Sequence, residues 1–72
     1  MTDLKKHHFH KGSWTIDITE FEETFDVQVY HDSNNRDWLY ASIAWPTLEA
    51  AKQKGMLWIE LKEAEEAFKN FN

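Results

Sequence analysis

The residues with the plainest chemical capability sit near the start of the chain, in "HHFH", which supplies His7, His8 and His10. Imidazoles are good ligands for zinc, nickel and copper, so this cluster could gather a metal ion. A spacing of i, i+1 and i+3 in a polar stretch fixes no ligand geometry, and the chain has no cysteine to complete a site. The expectation is a solvated polar segment, without metal or cofactor. Adjacent carboxylates, Glu22–Glu23 and Glu65–Glu66, could do acid–base work. In a chain this acidic such pairs ordinarily belong to a solvated face.

Nothing else has the pattern of a catalyst. There is no nucleophile turn with a Ser-His-Asp order, no glycine-rich phosphate loop and no zinc-hydrolase helix motif. With 72 residues, the chain is too small to enclose a ligand pocket of roughly 300 Å³ or more. The expectation is therefore no enzyme and no catalytic residue.

Size and composition narrow the classes further. Seventy-two residues make one domain, which buries only about 60% of the surface its unfolded chain exposes. Without cysteine, disulfides cannot reinforce it. Four tryptophans and five phenylalanines imply a core of a few large side chains, so the chain folds. Thirteen acidic groups against eight basic ones give a net charge of -5, and Arg36 is the single arginine. Phosphate binding needs clustered Lys and Arg, so direct binding to nucleic acid or to an anionic membrane is disfavoured. The opening residues "MTDLKKHHFHKG" have no apolar run and read as no signal peptide. No stretch approaches the roughly 18 apolar residues of a membrane span, and a cytoplasmic protein is the simplest reading.

The elements that would position these side chains follow from hydrophobic periodicity. Residues 1–12 are polar and aperiodic and read as a flexible leader, followed by a single domain over 13–72. In "SWTIDIT", Trp14, Ile16 and Ile18 alternate with Thr15, Asp17 and Thr19, the pattern of a half-buried strand. "TFDVQVY" alternates again, with Phe25, Val27 and Val29 apolar. "HDSNNRD" has turn composition. "WLYASIAW" reads as a third strand, with Leu39, Ala41, Ile43 and Trp45 inward and Trp38, Tyr40 and Ser42 outward. Pro46 ends that strand, Thr47 suits an N-cap, and Glu49 suits the first turn of a helix. From there to about Phe68 only Gly55 disfavours a helix, and Glu65 and Lys69 form a favourable i,i+4 pair. The expected fold is α+β: a three-stranded antiparallel meander followed by one long C-terminal helix on one face (βββα).

That order of elements, with the helix opening at "WPTLEAAKQKGMLWI", resembles the arm-type DNA-binding modules of phage integrases and the double-stranded-RNA-binding fold. The resemblance covers roughly residues 13–68 and consists of element order alone. The basic residues those families use are missing, so no binding residue is carried over from either.

The helix itself has two apolar faces. Leu48, Ala51, Gly55, Trp58 and Ile59 share one side at about 100° per residue, and would pack on Ile16, Ile18, Val27, Val29, Leu39 and Ile43. Gly55 would let the helix sit close to the sheet. Leu57, Leu61, Ala64, Phe68 and Phe71 form a second stripe nearly opposite, which one straight helix cannot bury in a small two-layer domain. Three arrangements would cover it: a kink near Gly55, self-association, or docking on another protein.

The sheet's open face is expected to carry Tyr30, Trp38 and Tyr40 among Thr15, Asp17, Asp26 and Gln28, as a protein-binding surface or as ordinary cross-strand pairs. Nucleic-acid platforms also use aromatics on a sheet, but with basic residues around them. The leading expectation is a small acidic interaction or regulatory protein, a homodimer or the binder of another protein. The alternative is an acidic nucleic-acid mimic, using carboxylates such as Glu20, Glu22, Glu23 and Asp26 to block a DNA- or RNA-binding protein.

Overall fold

The computed structural model describes residues 4–33 and 39–69. Four strands and one helix follow in order: β1 (Lys5–Lys11), β2 (Trp14–Phe21), β3 (Thr24–His31), β4 (Tyr40–Trp45) and α1 (Leu48–Lys69). The strands form one antiparallel sheet in sequence order, and the helix packs across one face. The α+β class and the antiparallel sheet with a C-terminal helix hold, but the sheet has four strands where three were expected. The ββββα order also departs from the βββα order on which the resemblance to two nucleic-acid-binding folds rested.

The additional strand comes from the segment read as a leader. Lys5–Lys11 pairs along its length with β2, from Lys5 opposite Glu20 to Lys11 opposite Trp14. It is an edge strand, and polar residues there discourage pairing with other chains. Phe9 alone supplies a large apolar side chain to the core side, against Ile16 across the ladder and with the Lys52 ammonium 4.6 Å from its ring centroid.

β2 and β3 follow the alternation in their sequences. Trp14, Ile16 and Ile18 of β2 and Val27 and Val29 of β3 are buried, and Ile16 lies opposite Val29 and Ile18 opposite Val27. A two-residue turn joins these strands, and both Glu22 and Glu23 have positive φ (53° and 57°). This is the turn that matches strand twist, usually built from Asn and Gly.

β4 is turned over relative to the expectation. Tyr40 pairs with Val29 and Ser42 with Val27, so both lie on the helix side, whereas Ile43 is 72% exposed and Leu39, just before the strand, 60% exposed. Between Ser42 and Trp45 the strand holds one extra residue. Ala44 takes a φ of 65° there, and its N–H donates to Asp26 Oδ1 at 2.9 Å. This bulge returns Trp45 to the helix side, opposite Phe25.

Thr47 caps α1, its Oγ1 accepting the Ala50 N–H at 3.0 Å. The helix runs unbroken through Gly55 and buries Ala51, Gly55 and Ile59, with Leu48, Met56 and Trp58 packed at the margin of the core. Trp58 stacks on Tyr40 at 5.1 Å and meets Trp14 edge-on at 5.4 Å. No helix among the described residues is long and apolar enough to cross a membrane.

Candidate interaction surface

Ile59 is the last fully buried residue of α1; residues 60–69 form an overhang that carries no buried side chain, with Lys62 and Glu66 half-covered. At 1.5 Å per residue this overhang is about 15 Å long, and the molecule measures 53 × 21 × 17 Å. Local ion pairs hold the overhang helical: Lys69 lies 3.7 Å from Glu65 and 3.8 Å from Glu66, and Lys62 lies 4.0 and 3.9 Å from the same two. Each such pair is worth about 0.2–0.5 kcal/mol. The sequence pointed to Glu65–Lys69 alone; the other three pairs follow from the same i,i+3 and i,i+4 spacing.

The second apolar stripe lies along this helix on the side away from the sheet. Leu57 is 50% exposed, Leu61 62% and Phe68 77%, and Ala64 is exposed between them. Phe71 lies outside the described residues. The helix does not bend to tuck the stripe into its own core, so a kink near Gly55 is not how the chain accommodates it. Covering a large aliphatic or aromatic side chain is worth about 1.5–3 kcal/mol. Leu39 and Ile43 add apolar exposure at the other edge, which the ambiguous parity of "WLYASIAW" concealed.

The open sheet face differs from the expected aromatic surface. Tyr30 is there, but Tyr40 faces the helix, and Trp38 lies outside the described residues. The Tyr30 hydroxyl donates to Asp17 Oδ2 at 2.6 Å, and His8 Nδ1 bonds the other oxygen of the same carboxylate. Asp17 thereby ties β1, β2 and β3 together on this face. The phenol is held above its ordinary pKa, chiefly because the hydrogen bond to Asp17 favours its protonated form. Burial and the charges of Asp17 and Asp32 add to this. Beside it, Thr15 donates to Asp32 Oδ1 at 3.1 Å and lies 3.3 Å from His10 Nδ1.

Strand alternation separates the histidines of "HHFH". His7 faces the helix side and lies 3.2 Å from Glu20 Oε1, while His8 and His10 face the open side with different partners. No three His, Asp or Glu side chains among the described residues are grouped to hold a metal ion. The four carboxylates considered for nucleic-acid mimicry are also dispersed: Glu20 and Asp26 lie on opposite faces of the sheet and Glu22–Glu23 at the turn. Comparisons with protein-family models, curated proteins and solved structures find nothing that matches this chain.

Proposed function

We propose that this chain is a small, acidic, non-enzymatic interaction or regulatory protein of the cytoplasm that self-associates through its C-terminal helix. The observation that carries the reading is the uncovered stripe of Leu57, Leu61, Ala64 and Phe68 on a helix that extends past its own sheet. A domain this small commonly draws stability from oligomerisation, and the overhang offers a preformed apolar surface for it. At the β4 edge Leu39 and Ile43 are exposed as well, a two-residue patch against the four-residue stripe of the helix.

Light scattering at micromolar concentration tests the reading. The chain should have the mass of more than one copy, and Leu61→Glu should reduce it to one copy without loss of circular dichroism. A parent chain that already scatters as a monomer would remove the proposal. In the alternative reading, an acidic mimic that blocks a DNA- or RNA-binding protein, Glu22 and Glu23 at the β2–β3 turn would be the leading carboxylates. That reading requires affinity for the target to fall steeply with salt, independently of Leu61.

A further inference from the structure

We infer that a second copy of this chain covers the exposed helix face, its α1 packed antiparallel to the first with Leu61 level with Leu57 of the second copy. This rests on the self-association reading and adds an orientation and a register to it.

The period of the exposed face supports a helix as occupant. Ala50, Lys54, Leu57, Leu61, Ala64 and Phe68 follow one another at alternating steps of four and three residues. That is a 3.5-residue repeat, the spacing that keeps two helices in contact along a coiled-coil seam. None of the six is buried, and the seam lies opposite Ala51, Gly55 and Ile59, which face the sheet. A second helix can therefore lie along it without meeting either sheet, giving a sheet–helix–helix–sheet stack. A seam this short would be marginal between free peptides, but the cost of nucleating each helix is already met by packing on its own sheet.

Charge selects the orientation. Leu48–Trp58 carries two lysines and one glutamate, whereas Ile59–Lys69 carries four glutamates and two lysines. A parallel pair would set acidic half against acidic half and Lys54 against Lys54. An antiparallel pair sets the lysine-bearing half against the acidic half. With the two-fold axis at Ile59, Lys54 stands level with Ala64 of the second copy, within about one turn of that copy's Glu60 and Glu65, which flank the seam. A lone lysine in such a seam also fixes register.

Side-chain size agrees with the same register. Phe68, the bulkiest described seam residue, falls opposite Ala50, and the two leucines face each other. A parallel pair would instead stack Phe68 on Phe68 and leave alanine against alanine at two levels.

The chain has no cysteine, so Lys69→Cys, off the seam, takes a single nitroxide for a dipolar distance measurement on the full chain. The antiparallel pair places the two labels about 30 Å apart along the axis. A parallel pair, with helix axes 8–10 Å apart, places them within about 20 Å. A distance near the longer value supports the inference. The shorter one overturns the antiparallel register while leaving self-association standing. No dipolar coupling, with scattering of a single copy, overturns both and assigns the face to a different protein. Lys54→Glu is the second arm: against the acidic half of the second copy it should weaken association at least about tenfold. Unchanged association of a folded Lys54→Glu chain would overturn the antiparallel pairing.

Discussion

A β-carbon on Gly55 would lie 3.1 Å from Cγ2 of Ile16, with Cγ2 of Val29 3.3 Å away. Both neighbours are fully buried and β-branched, so they have little rotamer freedom with which to retreat. Gly55→Ala should gain about 1 kcal/mol in helix propensity and lose about 1–3 kcal/mol to overpacking, for a net loss. Urea unfolding should show a lower midpoint at unchanged slope, and a lower one still for Gly55→Leu. A more stable Gly55→Ala chain would mean that the helix can lift off the sheet at little cost.

The turned-over β4 makes an equally direct prediction. Ile43 is mostly exposed whereas Ile18 is fully buried, although both are isoleucines within strands of the same sheet. Ile43→Ser should change stability by no more than about 0.5 kcal/mol, and Ile18→Ala should cost about 2–5 kcal/mol. Comparable losses at the two positions would restore Ile43 to the core.

Sequence periodicity carries far in this chain where one residue class dominates one parity. Trp14, Ile16, Ile18, Val27 and Val29 alternate with polar residues, so the two central strands and their buried face were legible. The helix start was equally legible from Pro46 and Thr47, and the close approach at Gly55 from its place on the apolar side. In "WLYASIAW" nearly every position is apolar or small, so the face could not be read from parity. The bulge at Ala44 then shifts the register by one residue, which reverses the face of all that follows. β1 lacks a sequence signal for a different reason. An edge strand made of "KKHHFHK" owes its place to ladder bonds and to side-chain pairs such as His7–Glu20 and His8–Asp17, and these leave no hydrophobic period. The exposed helix stripe was visible as a pattern, but what covers it is not written in one chain's burial, and the proposed second copy rests on the stripe's period, charge and side-chain size.

The Glu22–Glu23 turn keeps two non-glycine residues at positive φ, closed by a bond from Thr24 Oγ1 to the Phe21 carbonyl at 3.0 Å. A left-handed conformation costs a side-chain-bearing residue about 1 kcal/mol or more relative to glycine. Glu23→Gly should therefore raise the stability of the chain by about 1 kcal/mol, less any rise in unfolded-state entropy. The paired Glu22→Asn/Glu23→Gly chain should gain further, because Asn-Gly is the preferred pair in this turn. Thermal unfolding of both variants measures the gain. A loss of stability would show that the two carboxylates hold contacts worth more than the backbone strain.

Tyr30 offers a titration that reports on the open sheet face. Its hydroxyl donates to Asp17, an interaction that exists only while the phenol keeps its proton, so the folded pKa lies above the ordinary 10.0. A group whose folded pKa is raised contributes its stability in full below the unfolded value and loses it as pH rises through the folded one. The advantage of the parent chain over Tyr30→Phe should thus hold at neutral pH and decline only above about pH 10. Asp17→Asn removes the charge and leaves a weaker acceptor. Its Tyr30 titration, followed through the ring carbon by NMR, should move down toward the ordinary value. Because Asp17 also bonds His8 of the edge strand, the same substitution should speed amide exchange in β1 more than in β3. A Tyr30 titration that stays in place in Asp17→Asn would show that burial and Asp32, rather than this bond, hold the phenol's proton.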